Sequence, residues 1–241
     1  MLIPIHKFLK NKIKGIIHVG AHTAEELSYY VEHGCNRVLW IEANPERWKE
    51  LEGKIKQYPN MKLGKFAASS QTGGTTYLKL SGISSSVLNM GTHKTKYPGS
   101  NPTHSVEVEL VAVDDWISTN QEKRYNYNFL NIDVQGYELE ALRGLQKQLL
   151  DIDAIYSEIN YEYLYENGAL VGDVDQFLAG HGFKRVATET VKGMGWGEAL
   201  YIKGMTLQLT VYLKFLIYKL VSVKAALRSK LKQKALQNKD Q

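Results

Sequence analysis

Apolar and polar positions along this chain follow two alternating periods. Short runs rich in β-branched residues read as strands: "GIIHVG" (15–20), "RVLWIEA" (37–43), "KLGKFAAS" (62–69), "YNFLNIDV" (127–134) and "AIYSEI" (154–159). Between them lie helical patterns: "TAEELSYYVEHG" (23–34), "PERWKELEGKIKQY" (45–58), "YELEALRGLQKQL" (137–149) and "VGDVDQFLAGHG" (171–182). Thr23 is a candidate N-cap of the first helix, with Glu26 as its capping-box partner and Gly34 as its stop. Asn44 caps the second, with Pro45 at its first helical position.

The rhythm pauses in the middle. "TTYLKLS" (75–81) predicts an extra strand, a Ser/Gly/Asn-rich loop runs from Gly82 to about His104, and "VEVELVAVDDW" (106–116) alternates like a half-exposed strand. The runs "FKRVATETV" (183–191) and "EALYIK" (198–203) close the pattern with no helix between them, which predicts a terminal antiparallel hairpin. Strand–helix alternation with right-handed crossovers predicts an α/β fold, doubly wound around a mostly parallel sheet.

Composition narrows this picture. With 241 residues, 44% of them hydrophobic, the chain suits one sizeable core with a small appendage. The single cysteine, Cys35, excludes an internal disulfide framework and fits a small packed residue in a reducing compartment. The start "MLIPIHKFLKNKIKG" lacks the pattern of a secretory signal, because His6 and Lys7 break its apolar run. It is expected to form a helical cap over 1–14, in a protein of cytoplasmic location.

Charge divides the chain. Residues 204–241 hold eight Lys or Arg and one acid, a balance of +7, which leaves the rest at −2 given the net +5. A slightly acidic body argues against a general phosphate-binding face and against nucleic acid as partner.

In doubly wound sheets, ligands bind outside the carboxyl ends of the strands. Those ends supply Gly20-Ala21-His22, Glu42-Ala43-Asn44, Ala67-Ala68-Ser69, Asp133-Val134-Gln135 and Glu158-Ile159-Asn160. Gly20 lets backbone approach a ligand, with Ala21, His22 and Glu25 in the same turn. Glu42, 22 residues after Gly20, is expected to accept ribose hydroxyls, with Asn44 beside it, a solvated strand-end charge being the alternative. Ala67 and Ser69, in "KFAASSQTGG", are expected near an adenine ring, a plain turn being the alternative.

The ordered series "IIHVGAHTAEE", "LWIEANPERW", "VAVDDW", "YNFLNIDVQGYELEALRG" and "SEINYEYLYENGALVGDVDQFLAGHGF" resembles the FkbM-like family of class I S-adenosylmethionine-dependent methyltransferases, over roughly residues 13 to 203. Asp133, Gly136, Glu138 and Gly144 stand at matching places of its strand-and-helix signature. The resemblance implies a seven-stranded Rossmann-like sheet in a methyltransferase domain spanning 1–203, S-adenosyl-L-methionine as cofactor, and a hydroxyl of a sugar or other small metabolite, including a glycan, as acceptor. Three departures stand out: His18 replaces the usual acid two residues before Gly20, the loop has one glycine, and Gln135 stands where the family often has Glu.

Methyl transfer to an alcohol needs in-line placement and a base for the leaving proton. Asp133 is the first candidate base; holding the cofactor's ammonium or capping a helix are its alternatives. Glu158 and Asn160 are expected to orient the acceptor. Ser84, Ser85, Ser86 and His93, in the long loop, are expected to close over it. No metal site is expected from His18 and His22, four apart on a strand and its turn, while a loosely held Mg²⁺ at Asp133 or Glu158 stays open.

Residues 204–241 read as a basic amphipathic helical tail. Over 207–231, Leu209, Leu213, Leu216, Leu220, Val223 and Leu227 recur at helical spacing, interrupted by Lys214 and Lys219, which disfavours a membrane span. Packing on the body, self-association, an anionic membrane surface and a partner protein are its possible uses. Two other functions fit parts of the sequence. The Gly20–Glu42 spacing suits an NAD-dependent oxidoreductase, and His18 suits a non-catalytic cofactor-binding protein tethered by its tail.

Overall fold

A computed structural model describes residues 5, 9, 12–190 and 192–237. The strands of the main sheet are β1 (Ile16–Val19), β2 (Val38–Ile41), β3 (Met61–Gly64), β7 (Phe129–Ile132), β8 (Ala154–Asn160), β9 (Phe183–Thr190) and β10 (Trp196–Lys203). They lie in the order β3-β2-β1-β7-β8-β10-β9. The first five run parallel, and β10 runs antiparallel to both β8 and β9, as the terminal hairpin requires. β1, β2, β7 and β8 are buried along their whole length, because helices cover both faces of the sheet. The strand order reverses between β1 and β7, which opens a crevice at their carboxyl ends.

The helices between strands are α1 (Leu27–Glu32), α2 (Pro45–Ile55), α3 (His93–Lys96), α4 (Val113–Thr119), α5 (Glu138–Arg143) and α6 (Val171–Gly180), and α7 (Met205–Gln237) follows β10. A second sheet of three strands, in the order β4-β6-β5, comprises β4 (Ala67–Ala68), β5 (Thr75–Leu80) and β6 (His104–Val111). The expected helical cap over 1–14 falls mostly outside the described residues. Ile5 and Leu9, which are described, are buried against the core that contains Ile16 and Tyr30.

Four boundaries differ from the sequence pattern, each for a local reason. The run 62–69 is two strands, because the chain turns at Lys65 and tucks the Phe66 ring against Gly64, where a Cβ would lie 2.7 Å from it. Its second half joins the small sheet, with Ala67 and Ala68 paired to Leu110 and Val111. The strand expected over 106–116 ends at Val111 and becomes helix at Val113. There the Asp114 carboxylate accepts the backbone N–H groups of Lys147 (2.7 Å) and Gln148 (2.9 Å). The first helix begins at Leu27 rather than at Thr23, because His22 (φ 44°) and Ala24 (φ 54°) are left-handed. Thr23 caps nothing; its hydroxyl donates to Glu25. The helix expected over 137–149 stops at Arg143, where Gly144 meets the β4 segment, and a short 3₁₀ turn (Gln148–Leu150) follows.

Gly144 is required by that approach, since a Cβ there would lie 1.9 Å from the Ser69 carbonyl oxygen. Gly144→Ala is expected to lower stability by about 2 kcal/mol, because overpacking against backbone outweighs the gain of roughly 1 kcal/mol in helix propensity. Gly172, in the first turn of α6, has open space around it. Gly172→Ala should therefore raise stability by about 0.5 kcal/mol. Urea unfolding of the two variants checks the contrast, and equal midpoints would refute it.

Candidate active site

The crevice is organised by the turn after β1. Gly20 takes φ 88°, and a Cβ there would lie 1.8 Å from the Asp133 carbonyl oxygen, so only glycine lets β1 and β7 end side by side. Its N–H and that of Ala21 both donate to the Ile41 carbonyl at 2.9 Å. The next residue, His22, turns its N–H to the Glu42 carboxylate (2.6 Å), which also accepts from the Asn44 N–H (2.7 Å). Asn44 in turn caps α2 by accepting from the Glu46 N–H at 3.0 Å. One buried carboxylate thus fastens the ends of β1 and β2 together. Burial raises the Glu42 carboxyl above its ordinary range, opposed by those two backbone donors.

A cleft of about 630 Å³, counting its open mouth, starts at this turn. Its apolar wall is Phe66, Ala67, Leu78 and Val87; Glu42 and Asn44 stand at one side and Asp133 and Gln135 at the other. An adjoining polar lobe shares Gly20, His22, Ile83 and Asp133 with it. That lobe is lined further by His18, Glu25, Asn131, Tyr156, Glu158 and Glu198.

Three carboxyl groups converge between the lobes. Asp133, Glu138 and Glu158 each place an oxygen within 4.8 Å of the others. Glu138 accepts the N–H groups of Val134 (3.0 Å) and Gly136 (3.1 Å) and so shapes the turn after β7. In that turn Gln135 is left-handed (φ 55°). Its amide Nε2 donates to Asp133 (2.6 Å) and to Glu158 (3.1 Å), while its Oε1 accepts from the Tyr165 hydroxyl. Ser86 donates to the Gln135 carbonyl at 2.7 Å. A residue forced into the left-handed region is held there by four partners.

Burial comes first in setting the acidity of the trio, and mutual repulsion adds to it. Glu158 is pushed well above the carboxylate range by burial and then by Asp133 and Glu138. Glu138 is raised to about 7 by burial and by Asp133. Asp133 is open to the cleft, yet the protein packed around the rest of its carboxyl still raises it. Three like charges this close do not all ionise near neutral pH. Burial weighs against the charged form at Glu158, whereas Asp133 is the member of the trio that opens to the cleft.

The methyltransferase FkbM domain matches residues 18–185 of the chain's 241. This chain belongs to the FkbM methyltransferase family. Among solved structures, the methyltransferase FkbM of Methylobacillus flagellatus KT has the same fold, with a TM-score of 0.51 at 14% identity over 78% of this chain. The chain spans only 43% of that protein's length. Magnesium protoporphyrin IX methyltransferase from Synechocystis PCC 6803, with bound SAM, aligns at a TM-score of 0.45 and 10% identity over 78% of this chain and 69% of its own. No curated protein matches this chain. The FkbM domain is an S-adenosylmethionine-dependent methyltransferase domain, and the nicotinamide alternative gives way to it.

The cleft fits that cofactor. Each Glu42 oxygen has one lone pair left for a ribose hydroxyl after its backbone bond. The apolar wall suits a purine. The buried His22 Nε2 has no partner within the described protein, although Nδ1 of the same ring meets Glu25 at 2.6 Å. Gly20, His22, Glu42, Asn44, Ala67 and Asp133 line the cleft as the sequence suggested, and Glu25 and Glu158 line the polar lobe. Ala21 packs into the core instead. Ser69 is buried behind the cleft, near the Tyr137 hydroxyl, because Gly144 packs against its backbone. Asn160 lines neither lobe; it lies behind Glu158, with Nδ2 3.4 Å from that carboxylate.

The long loop is tied down rather than loose. Ser85 and Ser86 line the cleft, and Ser84 lies against Tyr165. His93 does not reach the cleft: it is buried between the Tyr97 and Tyr165 rings, with centroids at 4.7 and 5.3 Å. Backbone bonds from Gly91 and Thr92 to Leu164 and Tyr163 hold that stretch in place. His18, standing where an acid is usual, is 3% exposed. Its ring lies 4.9 Å from the Trp40 ring, its Nδ1 is 3.1 Å from the Tyr30 hydroxyl, and burial lowers its pKa, so it is a neutral packing residue at the floor of the polar lobe. Gln135 and Tyr165 were missed as site residues, although Gln135 already stood out as a departure beside Gly136.

The raised acids make stability depend on pH. Glu138 moves from an ordinary 4.5 to about 7 on folding, so its contribution is fully present below about 4.5 and is lost as pH rises through about 7. The melting temperature of the wild type should therefore fall between pH 5 and 8, by roughly 2–4 °C for each kcal/mol lost. Glu138→Gln should flatten that slope, as thermal melts would show; a slope equal to the wild type's would refute the assignment.

Proposed function

We propose that this FkbM-family enzyme transfers a methyl group to a hydroxyl of a small polar metabolite, a sugar or glycan being the class that suits the site. The observation that carries this reading is Asp133, a carboxyl group open to the cleft where the apolar and polar lobes meet. When bound, S-adenosylmethionine supplies a methyl group already activated by its sulfonium. The chain then has to place an oxygen and receive its proton. Asp133 Oδ2 is the oxygen left for that proton, since Oδ1 accepts from Gln135. The polar lobe offers Asn131, Tyr156, Glu158 and Glu198 for hydrogen bonds to an acceptor with several hydroxyl groups.

A nucleic-acid acceptor is disfavoured by the body's balance of −2 and by the acids that rim the lobe. The single cysteine, Cys35, buried as a free thiol, is in keeping with a reducing, cytoplasmic setting. Labelled methyl donor incubated with a panel of neutral oligosaccharides, amines and carboxylic acids tests the proposal. The expected product is an alkali-stable methyl ether on a saccharide. Label appearing only in amines or in esters would refute it.

A further inference from the structure

Helix α7 is apolar on two opposite faces. Val211 and Phe215 are buried on the side that packs against β9 and β10. Lys219 fixes that side by pairing with Glu189 of β9 at 2.9 Å and by standing 5.8 Å over the Phe215 ring. The stripe legible in the sequence is a different one. Leu209, Leu213, Leu216, Leu220 and Val223 project on roughly the other side of the helix, given about 3.6 residues per turn. They are 60, 50, 41, 63 and 57% exposed. Exposed Ile217 and Val221 widen the stripe, while Leu227 lies where side chains are not described.

Charge selects what covers this face. Residues 204–239 contain eight Lys or Arg and no acid. The four-three spacing of the stripe would also suit a coiled coil with a second copy. A second copy, however, would bring only further cations to the flanks of the seam, because 204–239 supplies no acid to pair with Lys214 or Lys224 across it. A span is excluded too, since no helix among the described residues is long and apolar enough to cross a membrane. An anionic surface matches both the leucines and the helix's excess of basic residues. We propose that α7 lies along an anionic phospholipid membrane, with its leucine stripe at the acyl boundary and its basic side chains on the phosphates. This holds the catalytic body at the membrane face and does not depend on which acceptor the cleft takes.

Co-sedimentation of the full chain with vesicles tests this. Vesicles of phosphatidylglycerol and phosphatidylcholine in equal parts should bind at least about tenfold more protein than phosphatidylcholine alone, and added salt should weaken the binding. Leu213→Glu combined with Leu220→Glu should reduce binding at least about tenfold with an unchanged circular dichroism spectrum. Lys224→Glu should reduce it about fivefold or more, and this holds the test together if the double variant is misfolded. Absence of binding to the anionic vesicles, equal binding to neutral ones, or a lipid-free dimer that Leu213→Glu dissociates would overturn the proposal.

Discussion

Asp133→Asn is expected to lower kcat by about 10²–10³-fold while leaving the affinity for S-adenosylmethionine within roughly threefold of wild type. The amide oxygen can still accept from Gln135 Nε2, now 2.6 Å from Asp133, so the turn and the cleft wall should persist. What disappears is the one carboxyl group of the trio that is exposed to the cleft. The pH profile separates this from a structural effect. Burial and, after it, the Glu26 charge raise the Asp133 carboxyl, so wild-type kcat should climb as pH rises through that elevated value and Asp133 loses its proton. The variant should lack this acidic limb. A wild-type-like kcat, or an unchanged limb in the variant, would leave Asp133 with only a binding role.

Much of this architecture can be read from local pattern, because the relevant forces are local. The Asn44-Pro45 cap, the largely apolar, buried strands and the helix-free ending of the sheet each depend on neighbours in sequence, and each is found in the structure. The errors come where a distant group outbids the local one. Thr23 has the composition of a cap, but Glu42, twenty residues beyond His22, takes the His22 N–H and pulls the turn into left-handed backbone. Phe66 ends a strand by packing under Gly64, which no periodicity announces. His93 and Ser69 belong to the right segments yet face tyrosines and backbone, since their orientation is set by Tyr165 and Gly144 across the fold. The importance of Gln135 likewise rests on Ser86, Tyr165 and Glu158, all remote in sequence. In α7 the repeat itself was legible, but which face meets the body is decided by Val211 and Phe215 fitting against β9 and β10.

Glu42→Ala should weaken S-adenosylmethionine binding about 100-fold, equivalent to roughly 2.7 kcal/mol. Two effects combine. The first is loss of the acceptor positioned for ribose hydroxyls, where hydrogen bonds to a charged group contribute about 1.5–3 kcal/mol. The second is structural: without the carboxylate, the His22 and Asn44 N–H groups lose their partners. The left-handed turn from Gly20 to Ala24 then loses the anchor that offsets its strain. Glu42→Gln separates the two, because its single carbonyl oxygen can serve only one of the backbone donors while remaining a weaker, neutral acceptor. Its affinity should fall between wild type and Glu42→Ala. Isothermal titration with the cofactor reads both, and a thermal melt without ligand reads the turn alone. If Glu42→Ala bound the cofactor as tightly as wild type, ribose recognition would have to be reassigned to other residues of the cleft, and the turn after β1 would be left with a purely structural carboxylate.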